Sequence, residues 1–348
     1  MNIQKQTQVE ENIANSITLS ILDADFKFPP MPANGSKLMA LVQKPVNEID
    51  ISSFVQLIEP DPGLFSMVLQ LANSIYFREQ DEIFSLRAAI VRVGLQETIH
   101  SVNLYFFQRM LPEIPEIAGF STKDYWAFSW ACATAAKRLG HPNLNMNALA
   151  GELYLGGLLH GIGKLILAIH HPAEFSKCVR KAREAGCSLH EVELDQFGTT
   201  DALVASKLMT IWNIPSRICK GVEFHQEPDS APKEYRDIAA LIQFAYYIAG
   251  VSGIGSNGDG ALMDLKSTWL SRQTGLQLSK KENQERIIKE ILISLNKKSE
   301  SVTGISPQPK ERSSEQKTAA AKHKNEPEKI SSPLKKKGLL GWLKSLFR

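Results

Sequence analysis

The sequence contains almost no stretch in which apolar and polar residues alternate, which is the pattern of a half-buried β-strand. It also shows no internal repeat at a period of 20 to 50 residues. Apolar residues instead recur at helical spacing, as in 51–58, where Ile51, Phe54, Val55 and Ile58 share one face. The predicted fold class is therefore all-α. The other predicted helices are Ser36 to Val42, Leu64 to Leu71, Leu86 to Val93, Glu97 to Met110, Ser121 to Leu139, Asn147 to Ile169, Pro172 to Ala185, His190 to Phe197, Thr200 to Trp212, Ser216 to His225, Tyr235 to Ala249 and Lys280 to Asn296.

Cysteine is scarce, and long apolar runs are missing. The four cysteines form no C-x-x-C and no zinc-like pairing, so we expect reduced, buried thiols in a cytoplasmic protein. Residues 1–11 hold one Lys, two Glu and no apolar run, unlike a signal peptide. The longest near-apolar window, 239–255, has 17 residues and includes Gln243. Since a bilayer span needs about 20 apolar residues, this window is expected to be a buried core helix.

Several common catalytic motifs are also missing. The sequence has no nucleophile elbow and no H-E-x-x-H, and no pair of carboxylates stands out as an acid–base dyad. Gly163-Lys164 is followed by Leu165 and lacks a preceding strand, which excludes a Walker A loop. We therefore predict no catalytic residues and no cofactor.

The helices 51–58 and 64–71 are separated by Pro60-Asp61-Pro62-Gly63, which raises the possibility of a DNA-binding helix-turn-helix. A recognition helix needs side chains that contact bases and phosphates, yet residues 64–73 contain no Lys or Arg. No sequence-specific nucleic acid partner is expected. The pair is interpreted as a helical hairpin in the core, with Asp61 as the N-cap and Pro62 at the first helical position.

Charge is distributed unevenly along the chain. Residues 297–348 hold 13 Lys and Arg against 5 Asp and Glu, which leaves 27 against 32 for residues 1–296. Residues 297–333 are rich in Ser, Pro, Lys and Glu and have few large apolar side chains. Such a segment cannot bury enough surface to offset its ordering entropy, so it is predicted to be a disordered linker.

The last segment, 334–348, is predicted to form a short amphipathic helix with a basic face. At about 100° per residue, six of its apolar side chains fall within an arc of roughly 160°. The predicted contact residues are Leu339, Leu340, Trp342, Leu343, Leu346 and Phe347, with the cations Lys335, Lys336, Lys337 and Lys344. About three turns are too short for a stable helix in water. The segment is expected to fold on an anionic membrane surface, on a partner protein or the protein's own body, or to have no role.

The most informative motif is His160-Gly161-Ile162-Gly163-Lys164. It has the form of His-Asp-x-Gly-Lys, in which adjacent His and Asp bind metal, but Gly161 stands at the Asp position. Together with other motifs it resembles the HDOD family, the HD-related output domain of bacterial signalling proteins. The remaining motifs are Phe28-Pro29-Pro30-Met31-Pro32, Leu57-Ile58-Glu59-Pro60-Asp61-Pro62, Leu69-Gln70-Leu71-Ala72-Asn73-Ser74 with Tyr76-Phe77, Ile83-Phe84-Ser85-Leu86 with Ala88-Ala89-Ile90 and Gly94-Leu95, and Trp212-Asn213-Ile214-Pro215 before His225.

The resemblance implies a two-lobed helical domain over residues 26–296, after an N-terminal extension of residues 1–25. The N-terminal lobe would span 26–120 and the lobe like an HD phosphohydrolase 121–296, followed by the linker 297–333 and the helix 334–348. It also implies the positions of the former metal ligands. His160 and His225 keep a histidine, whereas the other positions hold Phe128, Gly161, Asp201 and Tyr246.

We therefore predict that this metal site is lost and that the protein is not an enzyme. The main hypothesis is a bacterial regulatory scaffold that binds signalling proteins, with its C-terminal helix tethering it to the inner face of the cytoplasmic membrane or to a partner. The alternatives are a sensor that binds a nucleotide without cleaving it and a residual HD-type metal-dependent phosphohydrolase. Bound metal and turnover would favour the last of these.

Overall fold

The computed structural model describes residues 28–31, 33–79, 81–140, 146, 148–273 and 276–303. In that part of the chain the only β pairing is an isolated bridge between Ile117 and Phe120. The α-helices are α1 (Ala33–Gln43), α2 (Ile51–Ile58), α3 (Pro62–Ala72), α4 (Leu86–Val93), α5 (Leu95–Met110), α6 (Thr122–Leu139), α7 (Ala150–Leu159), α8 (Ile162–His170), α9 (Pro172–Ala185), α10 (Leu189–Phe197), α11 (Asp201–Ile211), α12 (Ser216–Glu223), α13 (Lys233–Ser252), α14 (Trp269–Arg272) and α15 (Lys281–Thr303). Short 3₁₀ helices occupy Val46–Glu48, Pro228–Ser230, Leu265–Ser267 and Gln277–Ser279. The all-α prediction is confirmed.

Two predictions differ most from the structure, while the other predicted helix ends lie within three residues of the observed ones. The run predicted as one helix over 147–169 is divided into α7 and α8 by a turn at His160 and Gly161. The last helix, α15, continues to Thr303, seven residues beyond its predicted end at Asn296. Its final turns still bury Ser299, and Lys298 pairs with Glu97 at 3.1 Å, so the helix continues where it has contacts with the body. The rest of the predicted linker and the predicted helix 334–348 lie outside the described residues.

Side-chain caps explain why several helices begin where they do. The Asp50 carboxylate accepts hydrogen bonds from the backbone amides of Ser52 and Ser53 at the start of α2. Asp61 does the same for Gly63 and Leu64 at the start of α3, with Pro62 at the first helical position. The predicted cap at Asp61 is therefore confirmed.

The first lobe consists of α1 to α5. Its apolar helix faces meet in a core that includes Leu38, Phe54, Ile58, Val68 and Phe107, each no more than 1% exposed. The carboxamide of Asn103 is also buried there and donates to the carbonyls of Ile99 and Leu38. Because Leu38 belongs to α1, its hydrogen bond with Asn103 holds α1 against α5 in addition to the apolar contacts between the two helices.

The second lobe is built around α6, which packs against α7 and α13. A Cβ on Gly157 of α7 would lie 2.8 Å from Cα of Ala133 in α6. Glycine is therefore required at this position for the two backbones to approach so closely. This close packing places the end of α7, where the turn to α8 begins, deep inside the lobe.

The segment from Ala150 to His170 is long and apolar enough to cross a membrane, with a mean hydropathy of 1.4 over its best window. However, 89% of that window is buried inside the protein. Such burial is typical of a core helix. The window 239–255, for which a core helix was predicted, lies mostly in α13 and is also buried.

Several contacts between described residues join the lobes. Helix α1 packs against both α5 and α7. The indole of Trp212 in the second lobe donates to the backbone carbonyl of Pro29 at 2.8 Å. Helix α15 packs along α6 and α13, and its Lys298 reaches Glu97 of α5. The last described helix therefore spans the boundary between the lobes.

Candidate functional site

Four of the predicted site residues meet in the centre of the second lobe. Phe128 comes from α6, His160 from the turn after α7, His225 from the residues after α12, and Tyr246 from α13. The His160 ring centroid lies 5.4 Å from that of His225, 5.9 Å from Phe128 and 5.3 Å from Tyr246. All four side chains are at most 5% exposed. The cluster is thus a set of rings in mutual contact.

Both imidazoles are held in the same tautomer. Nδ1 of His160 lies 2.7 Å from the carbonyl oxygen of Gly157, and Nδ1 of His225 lies 2.6 Å from that of Val222. Because a carbonyl only accepts, Nδ1 carries the hydrogen in each ring and Nε2 presents a lone pair. Nε2 of His225 faces the side-chain amide of Gln226 at 3.1 Å. Nε2 of His160 is buried without a hydrogen-bond partner among the described residues.

Asp201 lies apart from the rings, in a buried ion pair. Its Oδ2 is 2.9 Å from Nζ of Lys164, and both side chains are 1% exposed. The backbone amide of Asp201 donates to Glu193, which is also fully buried. Burial and the charge of Asp201 raise the pKa of Glu193 well above its usual value. Burial would raise the pKa of Asp201 too, but Lys164 outweighs it and holds that pKa below its usual value. We therefore treat the cluster as Lys164⁺, Asp201⁻ and a protonated Glu193.

Gly161 leaves no free space for the missing carboxylate. A Cβ built on Gly161 would lie 3.3 Å from the ring of Tyr125 and 3.7 Å from Oδ2 of Asp201. Tyr125 of α6 is fully buried. An aspartate at position 161 would therefore place a second carboxylate beside Asp201, against an aromatic ring. The neighbourhood of Gly161 is already filled by side chains that the sequence motif does not include.

The hydroxyl of Tyr246 is part of a polar network at the edge of the cluster. It donates to Asp259 and accepts from the amide of Asn257, and Asn257 also donates to Asp259 at 2.9 Å. Asp259 in turn accepts from the backbone amide of Leu189 at 2.9 Å. The adjoining cavity measures about 10 Å³, the size of a water molecule. This network holds the ring of Tyr246, which stands where the resemblance places a metal-binding carboxylate.

Several of these residues were not singled out from the sequence. Tyr125 and Glu193 lie within the predicted helices Ser121 to Leu139 and His190 to Phe197, where nothing distinguishes them, and Asn257 and Asp259 follow α13 in a segment with no helical period. The run Ser256-Asn257-Gly258-Asp259-Gly260 does carry a turn signature, which indicates a loop but not its partners. Nothing in the periodicity pairs Lys164 with Asp201.

Comparison with known proteins decides the family. Residues 28–228 match the sequence profile described as the HDOD domain, which is more than half of the chain. The chain belongs to the HDOD family. The predicted family and its two-lobed helical fold are confirmed.

The relatives with solved structures share the HDOD fold at low sequence identity. An HDOD domain protein of unknown function from Geobacter sulfurreducens superposes with a TM-score of 0.63 at 19% identity, over 84% of this chain and 97% of that one. A candidate signal transduction protein from Marinobacter aquaeolei gives a TM-score of 0.66 at 18% identity, over 86% of this chain and 65% of the other. At this level of identity the likeness concerns the fold alone.

One relative is similar in sequence over a longer stretch. An uncharacterised protein of Treponema pallidum is 25% identical over 247 residues, which are 70% of this chain. The aligned stretch covers only 45% of that protein, so the HDOD chain spans less than half of the relative's length.

The buried cluster of Phe128, His160, His225 and Tyr246 does not fit the metal centre that HD hydrolases use. A hydrolytic dication needs carboxylates that offset its charge and a set of ligands in fixed geometry. Here two imidazoles face two aromatic rings, and the carboxylate of Asp201 is paired with Lys164. Among the described residues, no group of three or more His, Cys, Asp or Glu side chains is arranged to hold a metal ion. The unpartnered Nε2 of His160 is one donor atom, which does not make such a site.

The buried histidines should make stability depend on pH. Burial lowers the pKa of His160 to about 4, and burial together with His160 lowers the pKa of His225 to about 3. As pH falls below about 6.5, the unfolded chain binds protons on these residues before the folded chain does, so stability must decrease. Lowering the pH from 8 to 6 should cost on the order of 1 kcal/mol per histidine.

Urea unfolding of the wild type and of His225→Gln at both pH values would test this. The variant should lose less free energy of unfolding between pH 8 and pH 6, by on the order of 1 kcal/mol. An equal loss in both proteins would show that His225 does not stay neutral in the fold.

Proposed function

We propose that this HDOD protein is a non-catalytic regulatory scaffold that acts by binding other signalling proteins. The observation that carries the proposal is the replacement of the metal shell by a closed cluster: Phe128 and Tyr246 pack on His160 and His225 with centroids 5.3 to 5.9 Å apart. A centre filled in this way lacks both the ligands and the volume that metal-assisted hydrolysis needs. Family membership and the likeness to a candidate signal transduction protein support a regulatory role.

The ion pair at the former ligand position supports the same proposal. Asp201 stands where the resemblance places a histidine ligand, and it forms a buried pair with Lys164 from the HD-like motif. Removing one partner of such a buried ion pair strongly destabilises the folded protein, because the other charge is left uncompensated. Lys164 and Asp201 therefore serve the packing of α8 against α11, and neither is free for catalysis.

The two alternatives receive less support. A nucleotide sensor would need a cavity of several hundred Å³, whereas the cavity that reaches Phe128 and Tyr246 measures about 10 Å³. A residual phosphohydrolase would need a metal on two imidazoles without a nearby carboxylate free to neutralise it. We also propose that the protein is cytoplasmic, and that residues 334–348 attach it at times to an anionic membrane surface.

We predict that the purified protein carries no stoichiometric metal and does not cleave nucleotides. Elemental analysis would measure the metal, and incubation of cyclic and linear nucleotides with Mn²⁺ or Mg²⁺ would measure hydrolysis. The matched control is Gly161→Asp, which restores the His-Asp pair in an otherwise unchanged chain. Because Phe128 and Tyr246 remain, this variant is expected to stay inactive as well.

Stoichiometric metal together with turnover that His160→Gln removes would overturn the proposal in favour of an enzyme. Turnover in Gly161→Asp alone would show that one ligand was enough to restore the site, which contradicts the argument that the rings have closed it.

A further inference from the structure

The first lobe exposes large apolar side chains in and after the loop that joins α3 to α4. Ile75 is 94% exposed, Tyr76 41%, Phe84 77% and Val91 73%. We call these four residues the loop surface. Single exposed apolar residues are common on proteins, but aromatic and aliphatic side chains exposed to this degree close together are typical of an interaction site.

Two features bring the loop surface together. The side-chain amide of Asn73 donates to the carbonyl of Ile83 at 2.8 Å and accepts from its amide at 2.9 Å, which closes the base of the loop. Ile75 and Phe84 each lie within two residues of that closure. Phe84 lies two residues before α4 begins, and Val91 lies within α4. The loop surface therefore extends from the loop onto α4.

The loop surface has an acidic edge. Between Ile75 and Phe84 the chain carries one Arg and three acidic residues, Glu79, Asp81 and Glu82. The side chains of Glu79 and Glu82 are 78% and 55% exposed, and they pair with Arg92 at 3.9 Å and with Arg78 at 3.6 Å, respectively. Arg92 lies beneath the loop, 10% exposed, and donates to the carbonyl of Asp81 at 2.8 Å. A suitable occupant would therefore combine an apolar face with positive charge.

The last described helix, α15, passes near the loop surface shortly before it ends. Lys298 of α15 lies 6.0 Å above the ring of Tyr76, and its Nζ is 3.1 Å from Glu97. Helix α15 ends at Thr303, five residues later, which corresponds to about 8 Å along the helix axis. Residues 304–348 therefore begin beside the loop surface.

We propose that residues 334–348 bind the loop surface of their own chain. The apolar arc of Leu339 to Phe347 would cover Ile75, Phe84 and Val91, and the basic side chains would face Glu79, Asp81 and Glu82. Thirty residues separate Thr303 from this segment, and the linker predicted from their composition would span roughly 30 Å. The resulting effective concentration is in the millimolar range, so even a weak contact would be occupied most of the time. This contact goes beyond the proposed function and does not depend on it.

Hydrogen exchange of the full chain in vesicle-free buffer tests the contact. Leu343→Glu charges the centre of the apolar arc, whereas Ser345→Glu adds the same charge about 160° away on the polar face. We expect amides of residues 74–91 to exchange roughly threefold or more faster in Leu343→Glu than in the wild type, with Ser345→Glu unchanged. Equal exchange in all three proteins would overturn the proposal.

A second measurement tests whether the two sets of side chains lie close together. Zero-length carbodiimide cross-linking should join Lys335, Lys336, Lys337 or Lys344 to Glu79, Asp81 or Glu82. Phe84→Asp should reduce these cross-links, and Leu194→Asp, an equally drastic change at a side chain that is 53% exposed, should not.

Two results would assign the occupant differently. In a mixture of isotope-labelled and unlabelled protein, cross-links found only between differently labelled chains would identify a second copy and overturn the proposal. An unprotected loop surface in a protein that sediments with phosphatidylglycerol vesicles, and fails to do so as Leu343→Glu, would identify the membrane as the only occupant.

Discussion

Replacing Lys164 by Met should reduce the free energy of unfolding by roughly 3 to 5 kcal/mol. The reason is the burial of its partner: Asp201 is 1% exposed, and its oxygen lies 2.9 Å from the ammonium group. Without Lys164, Asp201 must either remain an uncompensated charge in the interior or take up a proton. Both options cost free energy, because the pKa of Asp201 lies below its usual value only while the cation is present.

Urea or guanidinium unfolding followed by circular dichroism would measure this loss. Lys281→Met is the matched control, since its ion pair with Glu285 is 3.7 Å long and its side chain is 68% exposed. That control should change stability by less than about 1 kcal/mol. The double variant Lys164→Met with Asp201→Asn should recover part of the loss, because it removes both charges.

If Lys164→Met proves no more destabilising than Lys281→Met, the pair does not hold α8 against α11. The interpretation of Lys164 as a packing residue would then have to be abandoned.

Replacing Gly163 by Ala should destabilise the protein by roughly 3 kcal/mol or more, although alanine is the better helix former. A Cβ at this position would lie 2.0 Å from the carbonyl oxygen of Asp201 and 2.9 Å from its Cα. These are backbone atoms, so no side chain can rotate away. Helices α8 and α11 would have to separate, which would also disturb the pair between Lys164 and Asp201.

Gly161→Ala is the matched control two residues earlier in the same turn. Its Cβ would meet the ring of Tyr125 at 3.3 Å, and Gly161 has a negative φ of −109° that alanine adopts freely. We expect a change of about 1 kcal/mol or less in thermal or chemical unfolding. A ranking in which Gly161→Ala is the more harmful variant would contradict the packing described for this turn.

The helices of the fold were predictable because each depends on a local apolar period and a local cap, as at Asp61 and Pro62. The turn at His160 and Gly161 was not predicted as a helix break. The residues before and after this turn are apolar at helical spacing, so the helical period of the sequence continues through the turn. The end of α15 was placed too early because its last turns are polar in composition and are held by Lys298 and Glu97, a contact between distant parts of the chain.

The candidate site was predictable in part. The motif and its resemblance identified Phe128, His160, His225 and Tyr246, which do meet in space. The position of Asp201 was identified, but its pairing with Lys164 was not. That pair joins α8 to α11, and Tyr125 reaches Gly161 from α6. Contacts of this kind are set by how helices pack, and a single sequence records no partner for a buried charge.

The position of α15 also has a consequence for the time course of synthesis. Lys298 touches Tyr76 and Glu97, yet more than two hundred residues separate it from each in the chain. At about 5 to 20 residues per second, the ribosome needs roughly 10 to 40 s to add them. During that interval the first lobe has emerged without the helix that completes its boundary with the second lobe. We therefore expect newly made chains to expose the boundary between the lobes until α15 docks.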